Sequence, residues 1–266
     1  MELPTYDVPH TARVYDYYLG GKSHYAIDRQ AGDSVLSVWP GARAAARTNR
    51  QFMHRAVRFL SERGVRQFLD IGTGIPTEPS LHQVAQSVAP EARVVYVDKD
   101  PLVLTYADAL MRSAPEGRTA YVEADVSAGH QPILDAAFGV LDPTEPVALS
   151  LVALLHFVPD EQGAREVVAA LVDALPSGSA LVLSHGTHDF DATVMLRVEE
   201  IYRQGGMAAQ SRDRAEVLRF FDGLDLVEPG IVPPHLWRPD EQTQRETVEG
   251  DLAALVSMWA AVGLKP

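Results

Sequence analysis

Three aspartates at equivalent positions are the residues of this chain most suited to binding chemistry. Asp70, Asp98 and Asp125 each follow a short run of apolar and β-branched residues, which is typical of a buried strand. Open α/β sheets bind ligands beyond the carboxyl ends of their parallel strands. The spacing therefore predicts that the three carboxylates meet at one edge of a sheet and line a ligand site there.

A Gly-x-Gly turn follows the first of these strands. Gly72, Thr73 and Gly74 form the turn, and glycine lets the backbone adopt positive φ and lets a ligand approach closely. A dinucleotide-binding loop carries a third glycine at the place where this chain has Thr77. A loop without that glycine, surrounded by acids, suits S-adenosylmethionine (SAM), which carries a sulfonium and an ammonium group but no diphosphate.

Each acid can be matched to one part of SAM. Asp98 is placed to accept hydrogen bonds from the two ribose hydroxyls, as the corresponding acid does in dinucleotide folds. Asp125 and the backbone of Val126 are expected at the adenine edge, and Asp70 and the loop amides at the methionine end. The structural alternative is that the acids cap the helices that follow their strands.

Tyrosines are concentrated near the start of the chain. Four of the nine lie within eleven residues, namely Tyr15, Tyr17, Tyr18 and Tyr25. Gly20 and Gly21 lie among them. A tyrosine combines a large apolar body with one polar tip, which suits a segment that closes over a ligand and excludes water. The alternative is a helix that packs on the core and ends at a glycine cap.

Three histidines near the predicted sheet edge are candidates for catalysis. His156 follows the fourth strand and is the first candidate, as a base or as a group that orients the acceptor of a methyl group. The alternative for His156 is a hydrogen-bonded core histidine. His185 and His188 follow the fifth strand, but their spacing in a loop without thiolates is a weak metal pattern, so no metal site is predicted.

Strands and helices alternate through most of the chain. Strands are predicted over residues 66–70, 93–98, 119–125, 147–157 and 180–184, with two more near 224–228 and 255–262. Helices are predicted at 11–19, 26–38, 42–63, 79–88, 161–175, 190–203 and 211–221, and one begins at Pro101. This alternation predicts an α/β, Rossmann-like fold with a mostly parallel sheet and helices on both faces. Residues 1–63 are predicted to form a helical lid, and residues 64–266 the core.

Composition restricts the class of protein. The 266 residues carry a net charge of −13, which argues against duplex nucleic acid as a partner because such binding depends on neutralising phosphates. No apolar run approaches the roughly 18 residues of a membrane span, so no span is expected. The chain lacks cysteine, and its first residues lack the pattern of a secretory signal, which fits a cytoplasmic protein.

Four segments carry a resemblance to a known family, at residues 13–22, 49–50, 66–77 and 94–98. They resemble the actinobacterial S-adenosyl methyltransferase family, formerly a domain of unknown function, over essentially the whole chain. The resemblance implies a class I methyltransferase fold with a seven-stranded sheet, an antiparallel last strand and a helical N-terminal extension. It also implies SAM as the cofactor and S-adenosylhomocysteine (SAH) as its product. One departure is Lys99, where a smaller polar residue, often asparagine, is expected.

The leading interpretation is a SAM-dependent methyltransferase that acts on an O, N or C atom of a small-molecule acceptor. The predicted cofactor-binding residues are Tyr15, Tyr18, Gly20, Gly21, Asp70, Gly72, Thr73, Gly74, Asp98, Lys99, Asp125 and Val126. Two alternatives stay open: a SAM-binding sensor or scaffold without catalysis, and an NAD(P)-dependent oxidoreductase, which Thr77 disfavours. A homodimer is compatible with the chain, and neither nucleic acid nor a membrane is expected as a partner.

Overall fold

The computed structural model describes residues 7–110, 112–246 and 252–266. Its strands are β1 (Gln67–Ile71), β2 (Arg93–Asp98), β3 (Arg118–Glu123), β4 (Val147–Val152), β5 (Ala180–Gly186), β6 (Asp225–Leu226) and β7 (Met258–Leu264). Its α-helices are α1 (Thr11–Leu19), α2 (Ala26–Val38), α3 (Ala42–Glu62), α4 (Leu81–Val88), α5 (Pro101–Leu110), α6 (Gln131–Ala137), α7 (Ala164–Asp173), α8 (Ala192–Gln204), α9 (Arg214–Leu218), α10 (Glu241–Glu246) and α11 (Leu252–Val256). Among the described residues, no helix has both the length and the apolar character that a membrane crossing requires.

The strands form one sheet in the order β3-β2-β1-β4-β5-β7-β6. Strands β1 to β5 are parallel, and β7 lies antiparallel between β5 and β6. The register places Asp70 beside Tyr96 of β2 and Ser150 of β4. The strand order reverses between β1 and β4, and ligands bind at such a switch point. The predicted fold, a mostly parallel seven-stranded sheet with an antiparallel last strand, is confirmed.

Helices cover both faces of the sheet. Leu69 and Leu149 pack on one face with Ile133 of α6 and Val168 of α7. Phe68 packs on the opposite face with α3 and α4, because successive side chains of a strand point to opposite sides. A sheet buried on both faces needs apolar residues at nearly every strand position, which explains the continuous apolar runs in the sequence.

The first three helices pack in two different ways. Helices α1 and α2 contact α8 through a cluster that includes Val14, Val35 and Val198. Helix α3 packs against the sheet through Phe52 and Leu60. The division predicted between residues 1–63 and 64–266 remains a prediction. Residues of α3 belong to the same apolar cluster as residues of the strands.

The end of β4 differs from its prediction. The apolar run predicts a strand as far as Phe157, but β4 ends at Val152 and a 3₁₀ helix covers Leu155–Phe157. Ala153 lies between them with a φ of 55°, in the left-handed region that favours glycine. A run that is nearly all apolar does not distinguish a buried strand from a buried turn, so the sequence pattern overextends the strand.

Candidate cofactor and acceptor site

A cavity of about 560 Å³, here called the large cavity, lies at the carboxyl ends of β1, β2 and β4. Its volume is typical of small-molecule sites. Nine of the twelve predicted cofactor-binding residues line it, namely Tyr15, Asp70, Gly72, Thr73, Gly74, Asp98, Lys99, Asp125 and Val126. The fold therefore brings the glycine turn and the three aspartates to one place, as the strand spacing predicts.

The glycine turn and Asp98 hold each other in position. Gly72 and Gly74 have φ of 75° and 69°, so both positions favour glycine. A β-carbon on Gly72 would also lie 2.6 Å from a methyl carbon of Leu154. The amide of Gly74 donates to Oδ2 of Asp98 over 2.9 Å, and the amide of Asp100 donates to Oδ1 over 3.0 Å. These bonds fix the carboxylate of Asp98 at the cavity wall.

Asp70 is the most perturbed acid of the large cavity. Burial raises its pKa to about 6, although the Ser150 hydroxyl, the positive charge of Arg50 and the Thr73 hydroxyl act in the opposite direction. Arg50 also lines the cavity, but its Nη2 donates to the carbonyl oxygens of Thr77 and Pro79 over 2.7 and 2.9 Å. The pKa of Asp70 thus lies close to neutral pH, and a bound cation would favour its ionised form.

Asp125 both caps the helix that follows its strand and lines the large cavity, so it has the two roles that the sequence left open. Its Oδ1 accepts from the amide of Ser127 over 2.9 Å and from the Ser127 hydroxyl over 2.7 Å, and so caps a 3₁₀ helix. It also lines the large cavity and lies 3.5 Å from Nζ of Lys99. Burial acts to raise its pKa, but the bonds from Ser127 and the charge of Lys99 hold the pKa below its usual value.

The segment before and within α1 lies across the large cavity. Val8, His10 and Tyr15 are among its lining residues. Arg13 anchors the segment, because its Nη1 lies 3.1 Å from Oδ2 of Asp100 in the loop after β2. Its Nε lies 2.9 Å from Oδ2 of the fully buried Asp28.

Tyr15 is fixed by a chain of hydrogen bonds that starts at β5. The hydroxyl of Ser184 donates to Oδ1 of Asn49 over 2.5 Å, and Nδ2 of Asn49 donates to the hydroxyl oxygen of Tyr15 over 3.0 Å. The Tyr15 hydroxyl in turn donates to the carbonyl of Ala46 over 3.0 Å. The chain positions the aromatic ring at the cavity wall.

Three predicted cofactor-binding residues lie outside the lining of the large cavity. Gly20 ends α1 in the left-handed conformation, with φ of 81°, as the glycine-cap alternative describes. Gly21 packs against the side chain of Asp16. Tyr18 is directed elsewhere, and its hydroxyl lies 3.3 Å from that of Tyr202 on α8.

A second cavity of about 80 Å³, here called the small cavity, lies among α1, α3 and α8. Tyr18, Tyr202 and His156 line it. Four residues line both cavities, namely Thr11, Tyr15, Ala153 and Phe157. The small cavity therefore adjoins the large one at the turn that ends β4.

The charges around the large cavity fit SAM better than a dinucleotide. Three carboxylates line it, whereas Arg50 is bonded to carbonyl groups and Lys99 faces Asp125. A diphosphate needs free cations or amide groups, and the third glycine that supports such binding is replaced by Thr77. A sulfonium and an ammonium find carboxylate partners here.

Comparison with known proteins agrees with this chemistry. A family model described as S-adenosyl methyltransferase matches residues 4–266. The chain belongs to the S-adenosyl methyltransferase family. It is accordingly a SAM-dependent methyltransferase, and the predicted family, enzyme class and cofactor are confirmed. No protein of the curated set matches the sequence.

Solved structures extend the comparison. The methyltransferase is 49% identical to a DUF574 family protein from Streptomyces avermitilis, with 98% of each chain covered and a TM-score of 0.92. It is 38% identical to a candidate methyltransferase from Thermobifida fusca, with 98% of this chain and 96% of that chain covered and a TM-score of 0.87. The N-methyltransferase NodS from Bradyrhizobium japonicum, in complex with SAH, is 16% identical, with 96% and 99% covered and a TM-score of 0.50, which shows the fold alone.

His156 of the methyltransferase lines the small cavity rather than the large one. Burial and the charge of Arg212 lower its pKa to about 3, so the ring is neutral. Its Nδ1 accepts from the amide of Gly186 over 3.4 Å, which leaves the ring proton on Nε2. A histidine in that tautomer donates a hydrogen bond from Nε2. The geometry therefore favours the orienting role over the role of a base.

The other two histidines are held by local partners. Nδ1 of His185 donates to the carbonyl of Gly186 over 2.7 Å, and Nε2 accepts from Nη1 of Arg212 over 2.7 Å. Nδ1 of His188 lies 3.0 Å from the hydroxyl of Ser211. No group of three potential ligands that could hold a metal ion occurs in the described part of the methyltransferase.

Arg212 supports the turn that carries His156, and sequence analysis missed it. Its guanidinium donates to the carbonyls of Leu155 and Val158 over 2.9 and 3.0 Å and pairs with Asp160 at 2.7 Å. These partners are more than fifty positions away in sequence, so no local pattern announces the contact. Sequence analysis likewise assigned no role to Asn49, although Asn49 lies in one of the segments that carry the family resemblance. Its partners Tyr15 and Ser184 are also distant in sequence.

Proposed function

We propose that this methyltransferase moves the methyl group of SAM to an O, N or C atom of a small-molecule acceptor. The observation that carries the proposal is the adjacency of an acid-lined large cavity and an apolar small cavity at Tyr15, Ala153 and Phe157. One cavity suits a cationic cofactor, and the other suits an uncharged partner. The volume of the large cavity suits a small molecule rather than a polymer.

The residues that would hold SAM follow from the lining. Asp98 suits the ribose hydroxyls, Asp125 and Val126 suit the adenine, and Asp70 with the glycine turn suits the methionine end. When bound, SAM would supply an electrophilic methyl group, with the S–CH3 bond breaking as the bond to the acceptor forms, the electron pair staying on the sulfur of SAH, and the proton of the acceptor atom released to solvent. The side chains around it are held by hydrogen bonds within the protein, so they are organised before the ligand arrives.

The contribution of the chain is to orient the acceptor and to exclude water. Positioning alone can supply a large part of the acceleration of a displacement reaction. The segment anchored by Arg13 covers the large cavity, and Phe157 and Tyr15 separate the small cavity from it. His156 offers a donor to the acceptor, which we propose as its role in the reaction.

Binding measurements test the proposal directly. Thermal unfolding with and without SAM, SAH and NAD, followed by calorimetric titration, should show stabilisation by SAM and SAH only. A ligand at 100 times its Kd adds about 2.7 kcal/mol to the free energy of unfolding. Stabilisation by NAD alone would favour an oxidoreductase. SAM binding with no SAH formed from any acceptor would favour a sensor or scaffold.

The setting and partners are part of the proposal. We propose a cytoplasmic enzyme without nucleic-acid or membrane partners, supported by the net charge of −13 and the lack of cysteine. A homodimer is the proposed assembly, and sedimentation of the purified chain tests it. Binding of RNA that weakens steeply with salt would contradict the proposal.

A further inference from the structure

We infer that the small cavity is the acceptor subsite and that its ligand is a small, uncharged ring compound that carries a hydroxyl group. The inference rests on the proposed function, because it assigns an acceptor to an enzyme that uses SAM. Four observations carry it: the walls of the small cavity, the state of its one carboxylate, the Tyr18–Tyr202 pair and the junction with the large cavity.

The walls of the small cavity are aromatic and apolar. Trp39, Tyr18, Tyr202 and Phe157 contribute rings, and Met195 contributes a flexible apolar side chain. Aromatic rings favour stacked or edge-on contact with another ring. A volume of about 80 Å³ holds several waters or about one six-membered ring, since a single water needs roughly 10 to 15 Å³ on this measure.

The carboxylate in the wall is already satisfied by the protein. Oε1 of Glu199 accepts from the amide of Ser211 over 2.8 Å and from the Ser211 hydroxyl. Oε2 lies 3.6 Å from Nη2 of Arg203. Among the described residues that line the small cavity, Glu199 is the one with a carboxylate, guanidinium or ammonium group, and the imidazole of His156 is neutral. A charged ligand would therefore find no free counter-charge, and burying it unpaired is costly.

The hydroxyl pair of Tyr18 and Tyr202 offers a ligand polar contacts in addition to the Nε2 donor of His156. The two oxygens lie 3.3 Å apart, and either can be the donor. One O–H group is used by this bond, so the other is left to donate to a ligand oxygen, and the lone pairs can accept. Burial raises the pKa of both tyrosines, that of Tyr202 to about 12, so both keep their protons. A hydroxyl group on the ligand matches a pair that both donates and accepts.

The junction gives the ligand access to the cofactor. Ala153 contributes a side chain of one carbon at the junction, between Tyr15 and Phe157. A larger side chain would narrow this passage. A ring held in the small cavity thus has one edge toward the large cavity, where SAM is expected.

The test uses the full-length protein loaded with SAH and two probes, p-cresol and benzylamine, followed by saturation-transfer NMR titration. Ala42→Leu fills the small cavity, and Ala209→Leu is a second filling variant from a different element. Ala44→Leu is the matched control, because Ala44 lies in the same helix but lines neither cavity. Calorimetry with SAH on every variant reports the large cavity independently.

We expect p-cresol to bind saturably to the wild type and to Ala44→Leu. At least one filling variant that retains a cooperative melt and wild-type SAH affinity should bind p-cresol about tenfold more weakly, because the leucine side chain takes up the space that the ring would occupy and overpacking is unfavourable. Failure of the wild type to bind SAH would overturn the proposed function and this inference together. If SAH binds, three results would overturn the inference alone. These are wild-type p-cresol affinity in both filling variants, the absence of saturable p-cresol binding to the wild type, and tighter binding of the benzylammonium ion than of p-cresol.

Discussion

Asn49 of α3 donates a hydrogen bond from Nδ2 to the hydroxyl oxygen of Tyr15 over 3.0 Å, and this bond joins the sheet-packed helix to the wall of both cavities. Asn49 is almost fully buried, at 1% exposure. A buried amide with both ends bonded tolerates little movement, because an unpaired buried polar group costs about 1 to 3 kcal/mol. The bond therefore ties the cavity wall formed by Tyr15 to α3 and, through Ser184, to the sheet.

The variant Asn49→Ala tests that arrangement. It removes the donor to Tyr15 and leaves the Ser184 hydroxyl without its acceptor. We expect a loss of about 2 kcal/mol in the free energy of unfolding and a SAM Kd raised about tenfold. Ser61→Ala is the control, since the Ser61 hydroxyl bonds Val57 within the same helix, away from the cavities. An unchanged SAM Kd in Asn49→Ala would contradict the role given to Tyr15.

Asp70 predicts how SAM binding depends on pH. Its pKa of about 6 means that the carboxylate ionises as the pH rises from 5 to 7. If SAM binds the ionised form, its affinity should rise by about tenfold over that range. Calorimetric titration at several pH values measures this, and Asp70→Asn should give a nearly flat and weaker profile. An equally steep profile in Asp70→Asn would assign the dependence to another group.

The free energy of unfolding without SAM should fall as the pH rises, whereas SAM affinity should increase. Because the folded-state pKa of Asp70 lies above its ordinary value of 3.8, the folded state binds the proton more tightly than the unfolded state. The stability contributed by this group is present below about pH 4 and is lost as the pH rises through about 6. Asp70→Asn should therefore raise the free energy of unfolding at pH 7 by up to about 3 kcal/mol. Denaturant titration that shows a loss instead would refute the burial argument.

The ion pair between Arg13 and Asp100 predicts the behaviour of the covering segment. In Asp100→Asn, Arg13 keeps its bond to Asp28 but loses the charge that ties α1 to the loop after β2. We expect the free energy of unfolding to fall by about 1 to 3 kcal/mol. Amide exchange across α1 should accelerate, and SAM should bind more weakly.

Glu91→Gln provides the comparison for that variant. It removes one partner of the exposed Arg66–Glu91 pair, and such surface pairs contribute little. Amide exchange in α1 and SAM affinity should both stay at wild-type values in Glu91→Gln. Slow exchange in α1 of Asp100→Asn, equal to that of the wild type, would show that the segment is held by other contacts.

The backbone of Ala153 predicts an unusual response to glycine. With φ of 55°, alanine is strained here by about 1 to 2 kcal/mol, whereas glycine costs about 0.5 to 1 kcal/mol in chain flexibility. Ala153→Gly should therefore stabilise the fold slightly. Ala148→Gly, within the preceding strand β4, should destabilise it. Chemical denaturation of the two variants should give opposite signs, and a destabilised Ala153→Gly would contradict the strain.

His156→Ala separates the orienting role from a structural one. Because His156 lines the small cavity but not the large one, the SAM affinity of His156→Ala should stay within about twofold of the wild-type value. Formation of SAH with a ring acceptor should slow by about tenfold or more, as expected for a lost positioning contact. Formation of SAH at the wild-type rate would remove His156 from the mechanism.

The strands could be predicted well because each carries its own signal. β2 begins and ends where the β-branched run predicts, and β1, β3 and β5 differ by one or two residues. The end of β4 could not be predicted, because Ala153 turns the chain without any glycine, proline or polar residue to mark the place. A turn buried among apolar side chains leaves no trace in hydropathy.

The site could be predicted where it depends on strand ends and not where it depends on helix packing. The topology alone brings Asp70, Asp98 and Asp125 together. Tyr15 and Tyr18 are three positions apart, yet Tyr15 lines both cavities and Tyr18 lines the small cavity but not the large one. That difference is set by α3 and α8, which lie far away in sequence, so the local tyrosine pattern could not separate them.

The bond between Tyr18 and Tyr202 spans 184 positions of the chain. During synthesis, α1 leaves the ribosome long before α8 exists, so the small cavity has no second wall until most of the chain has been made. Contacts of such high sequence separation form late, because the loop must close before they are gained. Helices α2 and α3 cover part of α1 early, but the side of α1 that faces α8 stays uncovered through most of translation, a period in which nascent chains are vulnerable to association with one another.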